Sequence, residues 1–419
     1  VFKPPRSLAG LRRLVAVGGG AALVAAGVVA VAAQPALAAA TGGNGASLPY
    51  VEVQAENAAT NGSLIGPSYA AGQLADEASY RKAVTLSGSG KFVTFTTPVA
   101  TNSIDFRYSI PDGSGGSVYT APLSFAINGA AQSDFTLTDA YSWYYGSYPF
   151  TNTPGSNPHH FYDEVHRLLP QTYPAGTTFT LQTSGASAVT TIDFADFEQV
   201  GPALTQPAGS VSVTSQGADA TGAADSTAAF NAAIAAAGSG GTVWIPPGTY
   251  KIPRHITVNN VTVTGAGMWY STVTGAAPGF YGLGEPDSCG VGGNRGVSSN
   301  VHLSNFAIFG QVGERNDCDQ VNGIGGALSN SSVTGLWIDH MKVGAWMDGP
   351  MDKLTLSGLR IRDTTADGVN FHGGVTNSTV TNSDLRNTGD DGIATWADSA
   401  LGADANDTIS NNTVQLQIL

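Results

Sequence analysis

Between residues 303 and 414 one pattern recurs five times: an apolar residue, any residue, glycine or asparagine, two further residues, and a second apolar residue. Its copies are Leu303 to Ile308, Val333 to Ile338, Leu356 to Ile361, Val380 to Leu385 and Ile409 to Val414. They start 30, 23, 24 and 29 residues apart. A period in the low twenties with occasional insertions is what a parallel β-helix produces, because a single coil cannot bury its apolar face without its neighbours. The asparagines are expected to stack where the chain turns, each side chain hydrogen-bonding the next coil. A second antiparallel sandwich is the competing reading, but sandwich strands rarely keep a common offset.

The rest of the chain divides around this array. Residues 48–200 are rich in Thr, Ser, Val, Phe and Tyr, with alternating segments such as Tyr50–Ala55, Lys91–Thr97, Ser103–Ser109 and Thr191–Val200. Frequent Gly, Pro and Asn between them indicate short strands and turns, as in a β-sandwich of jelly-roll type. Linkers are read at 39–47 and 201–210. One helix is expected over Thr227–Ala237, with Asp225 and Ser226 as its cap, Phe230 and Ile234 on one face, and Gly238 as its stop. The strand in GGTVWIPPGTY (240–250) follows it. The fold class is therefore all-β, an N-terminal sandwich followed by a parallel β-helix over 211–419. The chain begins with Val and stops at Gln417-Ile418-Leu419 in an apolar run. The β-helix is accordingly expected to be truncated at its C-terminus, without its cap and with part of its groove missing.

Residues 1–38 read as a signal peptide. Lys3, Arg6, Arg12 and Arg13 precede the apolar stretch Leu14–Ala33, and Ala36-Leu37-Ala38 fits a cleavage site. A membrane anchor is the alternative, since 20 apolar residues just span a bilayer. The net charge of −13 and the lack of any Lys/Arg run after residue 13 argue against nucleic acid or an anionic membrane as partner. A neutral polymer fits, handled outside the cell by a monomer. The two cysteines, Cys289 and Cys318, suit one disulfide in an exported chain, with metal binding or two free buried thiols as alternatives.

Three carboxylates stand out on the repeat. Asp367 follows Leu356 by 11 residues and Asp391 follows Val380 by 11, and both precede a glycine and an apolar residue. Equal offsets stack these two one inter-strand step of ~4.8 Å apart, with Asp390 alongside. Like charges so close raise at least one pKa unless something relieves them. Glycoside hydrolysis uses such a conflict: one carboxyl donates a proton to the leaving oxygen while others hold a water. Stacked Asp367 and Asp391 suit that water and Asp390 the acid. A calcium site and exposed turn acids are the other readings.

The segments GGTVWIPPGTYKI, GAGMWYSTV (265–273), QVNGIGGALSNSSVTGLWIDHMKVGAWMDGP (320–350) and TADGVNFHGGVTNSTVTNSDLRNTGDDGIA (365–394) resemble bacterial α-1,3-glucanases and mycodextranases of glycoside hydrolase family 87. The similarity runs from about residue 205 to the last. It implies a right-handed β-helix that cleaves α-1,3-glucosidic bonds with inversion and needs no catalytic cofactor. By motif, the Asp of ADG is Asp367 and those of GDD are Asp390 and Asp391. The resemblance implies Asp390 as general acid, with Asp367 and Asp391 activating water. The partner implied is an α-glucan such as α-1,3-glucan, nigeran or mutan.

Chemistry adds candidates for sugar contact. Trp346, Trp396, Trp337 and His372 offer ring faces, and Asp348, Asn370 and Arg360 offer hydroxyl partners. Trp346, Trp396 and His372 are favoured, because Trp337 sits between core-facing Leu336 and Ile338 and should point outward.

Residues 48–200 resemble carbohydrate-binding modules of the family 6 and 35 type, through VQAENA (53–58), RKAVTL (81–86), FRYSIP (106–111) and IDFADFEQV (192–200). That resemblance implies a structural calcium at Gln54, Glu56 and Asp196. The stretch YSWYYGSYPF (141–150) is either a sugar platform or a loop packing on itself. His159, His160, Asp163 and Glu164 look like a metal cluster without a defensible spacing. Two rival functions remain. A polyuronate-degrading enzyme, such as a lyase, would need calcium and a Lys or Arg base over the groove, for which Arg360, Arg362 and Arg386 are near, and no polygalacturonase-like basic motif is apparent at the expected place. A non-catalytic glycan-binding or adhesion protein would bind polymer without hydrolysing it.

Overall fold

From Val211 onward the strands visit three parallel sheets in turn. The first runs through eight strands from Val211–Ser212 to Thr408–Ser410, the second through eight from Thr221–Asp225 to Thr413–Gln415, and the third through six from Ile256–Thr257 to Ile393–Thr395. This is the strand path of a parallel β-helix. The structure, a computed structural model, describes residues 45–146, 150, 159–283 and 296–418. The expected signal peptide, most of the 39–47 linker and Cys289 lie outside the described residues. Cys318 is disulfide-bonded.

The repeat is the corner between the first two sheets. Leu303, Val333, Leu356, Val380 and Ile409 pair in one register line. Ile308, Ile338, Ile361, Leu385 and Val414 pair in the next. Both lines point inward, and all but the last member of each are completely buried. The Gly/Asn position has another cause than the expected ladder of asparagine side chains. Asn305, Gly335, Gly358, Asn382 and Asn411 all have φ between 49° and 62°, a left-handed turn that glycine and asparagine accept most readily. The hydrogen bonds to the next coil come from the backbone: Asn305, Gly335 and Gly358 N–H donate to the carbonyls of Thr334, Ser357 and Thr381.

The helix forms at Thr227–Ala237 as expected. Asp225 Oδ1 accepts from Thr227 N–H at 2.8 Å, and Gly238 ends the helix at φ 71°. Phe230 and Ala233 close the N-terminal end of the coil interior against Val213, Val243 and Tyr250. The 201–210 segment is pinned rather than loose: Leu204 N–H donates to Ala266 O at 2.8 Å and Tyr270 OH to Gly201 O at 2.7 Å.

Residues 50–198 form two six-stranded antiparallel sheets. Val84, Leu86, Ile104, Phe106 and Phe197 from one, and Val93, Phe95, Leu123, Phe125 and Phe179 from the other, fill a common core. Alternation then puts Asp105, Arg107, Glu164, His166 and Asp196 on the opposite face of the first sheet. That face is covered by the second sheet of the coil. Arg386, fully buried, donates to both oxygens of Glu164 at 2.7 Å and to Asp196 at 2.8 Å. Arg362 pairs with Asp384, and Arg360 with Glu198 at 2.7 Å.

This seam corrects several expectations. Trp337 does point out of the coil, but onto His166, Trp269 and Phe309, and it is completely buried. Arg360 lies over the Trp337 ring. Neither can meet a polymer. Arg360, Arg362 and Arg386 are all consumed by carboxylates, which removes the bases that a lyase would need from that set. The residues of an appended module and the coil belong to one compact unit.

Bidentate arginine–carboxylate pairs are favourable only while both partners are present, since a lone buried charge keeps its full desolvation cost. Arg386→Leu should therefore destabilise the protein by about 3–5 kcal/mol in chemical unfolding. Adding Glu164→Leu should recover part of the loss, and strict additivity would show that the pair is not coupled.

Candidate active site

The third sheet carries the site at the corner before its strands. Asp367 precedes Val369–Phe371, and Asp390 and Asp391 precede Ile393–Thr395. Gly368 N–H donates to Asp391 O at 2.9 Å and Val369 N–H to Gly392 O at 3.0 Å, so the offset of 11 becomes a direct stack. The glycines are required by close approach: a Cβ on Gly368 would lie 2.5 Å from Gly392 O and from Leu385. Asp367, Asp390 and Asp391 each bring a carboxylate oxygen within 4.8 Å of the others.

Their surroundings differ. Asp367 is buried and accepts from Asn370 Nδ2 at 2.7 Å. Burial, with Asp390 and Asp391 adding to it, raises its pKa to about 6 against the pull of Asn370 and Arg315. Asp390 Oδ2 takes a charged hydrogen bond from Arg315 Nη1 at 2.6 Å. Arg315 also pairs with Asp317 at 2.7 Å and donates to the Tyr145 hydroxyl, which donates to Gly389 O. Lys342 donates to Asp317 O at 3.2 Å, and burial lowers its pKa to about 8.

These groups floor a cleft of about 670 Å³, lined by the three aspartates, Asn370, Trp346, Trp396, Arg315 and Lys342 among others. Trp346, Asn370 and Ala394 are register neighbours on successive coils. Trp396 is 54% exposed. His372 lies between the two tryptophans, with ring centroids 4.5 Å from Trp346 and 4.4 Å from Trp396. Asp348 Oδ1 accepts from Trp346 Nε1 at 3.1 Å and pairs with His372 Nδ1 at 2.8 Å. Of the expected sugar-binding residues, Trp346, Trp396 and Asn370 line the cleft, while Asp348 and His372 brace the tryptophans.

Arg315, Asp317, Lys342 and Tyr145 were not singled out by sequence. Arg315 and Asp317 sit in a segment without repeat signal, and Lys342 follows a corner as an unremarked single cation. Tyr145 belonged to the aromatic stretch 141–150, where Trp143 and Tyr145 prove to be buried packing residues. Tyr148 lies outside the described residues. His159 stacks on Tyr144, and His160, Asp163 and Glu164 turn into the seam.

The calcium set of Gln54, Glu56 and Asp196 has mixed partners. Gln54 Nε2 donates to Glu52 at 2.6 Å and to Ser79 at 3.1 Å, and one Asp196 oxygen is held by Arg386. Gln54 Oε1, Glu56 Oε2 and Asp196 Oδ1 are buried without a hydrogen-bond partner among the described residues.

Residues 47–200 match the family model "Alpha-1,3-glucanase catalytic domain D1", so the segment expected as a carbohydrate-binding module is similar to a part of a catalytic domain. Residues 210–417 match the model "Rhamnogalacturonase A/epimerase, pectate lyase-like". Among solved structures, the catalytic unit of a thermostable GH87 α-1,3-glucanase from Streptomyces thermodiastaticus strain HF3-3 is 43% identical, with a TM-score of 0.79 over 89% of this chain and 65% of that one. The Agl-KA catalytic domain is 30% identical, with a TM-score of 0.79 over 88% and 67%. A GH87 α-1,3-glucanase catalytic domain in complex with nigerose shares the fold at 22% identity, with a TM-score of 0.72 over 90% and 69%. No curated protein matches. The chain spans 65% of the length of the Streptomyces catalytic unit. The two matched segments, the three stacked aspartates and the identity to these catalytic units make the chain a member of the α-1,3-glucanases of glycoside hydrolase family 87.

Proposed function

We propose that this chain is a secreted, monomeric glycosidase that hydrolyses α-1,3-glucosidic bonds of a neutral glucan with inversion of configuration. The observation that carries this reading is the cluster of three carboxylates on the floor of a cleft flanked by Trp346 and Trp396. The two indole rings offer apolar faces to the CH surfaces of glucose. Arg315 and Lys342, the cations in the cleft, are engaged by Asp317 and Asp390, which suits a neutral chain better than a polyuronate.

In the proposed reaction Asp390 protonates the glycosidic oxygen as the bond to the anomeric carbon breaks. Asp367 and Asp391 take a proton from a water that attacks that carbon from the opposite face. The sugar leaves with inverted configuration. Two facing antiparallel sheets support a β-sandwich at 48–200, and a right-handed coil is part of the same proposal. The sandwich contributes Tyr145, whose hydroxyl links Arg315 to the backbone of Gly389 next to Asp390. A second division of labour is favoured by one observation: burial makes Asp367 the carboxyl that keeps its proton toward neutral pH. In that version Asp367 is the acid.

Reducing-sugar release from insoluble α-1,3-glucan, with starch, dextran and polygalacturonate as controls, tests the activity. Release from α-1,3-glucan alone, reduced at least ~100-fold by Asp390→Asn, is the expected outcome. Binding of the polymer without release would support the adhesion reading instead. An α-1,3-glucosyl fluoride, whose leaving group needs no proton, separates the two acids. The variant that keeps fluoride hydrolysis but loses the polymer, Asp390→Asn or Asp367→Asn, has lost the proton donor.

Stability gives a second check. A carboxyl with its pKa raised from 3.8 to about 6 binds more protons folded than unfolded in that interval, so it costs stability as pH rises through it. Asp367→Asn should be more stable than the parent at pH 7, by at most about 3 kcal/mol, and near parity at pH 4. A constant difference across that range would count against the burial argument.

The buried oxygens of Gln54, Glu56 and Asp196 support a structural calcium in the sandwich. If it binds, calcium returned to chelator-treated protein raises Tm, and Glu56→Gln abolishes the rise. An unchanged Tm in the parent would remove the ion from the proposal.

A further inference from the structure

A second group of charged side chains lies on the buried seam, outside the chemistry above. Asp163, His340 and Asp363 each bring one ligand atom within 4.8 Å of the others. Asp163 stands at the start of the strand Asp163–Tyr173, in the first module. His340 and Asp363 follow Asp339 and Arg362, which pair in register on successive coils. The site therefore joins two coils and the sheet that covers them.

The side chains lie close enough to share one ion, and His340 already pairs with Asp163 directly. His340 Nε2 lies 2.7 Å from Asp163 Oδ1 and 3.5 Å from Asp339 Oδ1. Asp339 Oδ1 and Asp363 Oδ2 have no hydrogen-bond partner among the described residues, in side chains that are 2% and 4% exposed. Buried carboxylate oxygens without a partner demand an explanation, and an ion is one. Several of the other carboxylate oxygens are already held in place: Tyr108 OH donates to Asp163 Oδ2 at 3.0 Å, Glu164 N–H to Asp163 Oδ1 at 2.8 Å and the Asn387 amide to Asp363 Oδ1. Such partners orient ligands at metal sites.

Other cations among the described residues do not answer the unpartnered oxygens. Arg107 is held by Asp193 at 2.6 Å and by Asn387, Arg386 by Glu164 and Asp196, and Arg362 by Asp384. His160 Nε2 stands 3.6 Å from Asp363 Oδ1, beyond hydrogen-bond distance. His340 and Asp363 stand at a left-handed corner that Asn387 and Leu416 repeat on the next coils, so the coil's own register places them one above the other.

We infer that His340, Asp163 and Asp363 form a buried site for a divalent first-row transition ion, clamping the N-terminal sheets to the coil. One imidazole with two carboxylates suits zinc or manganese, whereas calcium takes oxygen donors alone. The ion would offset three clustered negative charges and stay remote from the glucan cleft.

Chelator-stripped full chain, given zinc or manganese and passed through gel filtration, should retain one equivalent by elemental analysis. Its Tm should rise by about 5 °C at saturating metal. Asp363→Asn and His340→Gln should each lose both effects while keeping the parent circular dichroism and calcium response. If either variant fails to fold, cobalt(II) titrated into the parent chain supplies the readout, through d–d absorption bands saturating at one equivalent. No retained metal and no cobalt spectrum would overturn the assignment and leave protonated His340 as the counter-ion. Equal retention by parent and folded variants would overturn it as well.

Discussion

No coil of this chain can bury its own apolar face. Val333 is covered by Leu303 on one side and Leu356 on the other, and each line of the interior depends on the same register being kept from coil to coil. Register in turn requires every coil to turn at the same point. That is why the left-handed corner recurs at Asn305, Gly335, Gly358, Asn382 and Asn411, and why glycine follows both stacked aspartates. The constraint that holds the coil together is thus the one that sets Asp367 over Asp391.

The outward face of the coil is equally consequential. Arg360, Arg362 and Arg386 would be ordinary solvated side chains on a free β-helix. Here they are buried under the first sheet of the N-terminal module, where Glu164, Asp196 and Glu198 take them up. Burying so many charges is costly, and it is stable only with close geometry on both sides. It therefore favours one docked arrangement over neighbouring ones. The same docking delivers Tyr145 to Gly389 and so brings the N-terminal module into the environment of Asp390, consistent with its match to a catalytic-domain model.

In the cleft, three carboxylates converge with one guanidinium. Burial and like charge push Asp367 toward its neutral form, while Asp390 takes a charged hydrogen bond from Arg315. Two groups of the same chemistry thereby sit in different surroundings. The tryptophans, held by Asp348 and His372, extend the cleft beyond the carboxylates.

How much of this could be read in advance follows from the range of the interactions. The register of the coil, the helix at Thr227–Ala237 and the stacking of Asp367 with Asp391 were legible, because each is set by residues at a fixed spacing along the chain. The Gly/Asn corner answers first to backbone dihedrals, and a ladder of side chains would leave the same residue types behind. The fates of Trp337, Arg360 and Asp196 were not legible at all. An outward-pointing residue looks identical whether water or another sheet covers it. Nor could Arg315 be found, since it acts from an irregular segment across 75 residues of chain. Periodicity thus decided the scaffold and where its carboxylates fall, because every coil solves the same packing problem. Only the folded chain decided which charges are buried, which outward-pointing ring another sheet covers and which cation holds Asp390, because these depend on what another part of the chain lays over them.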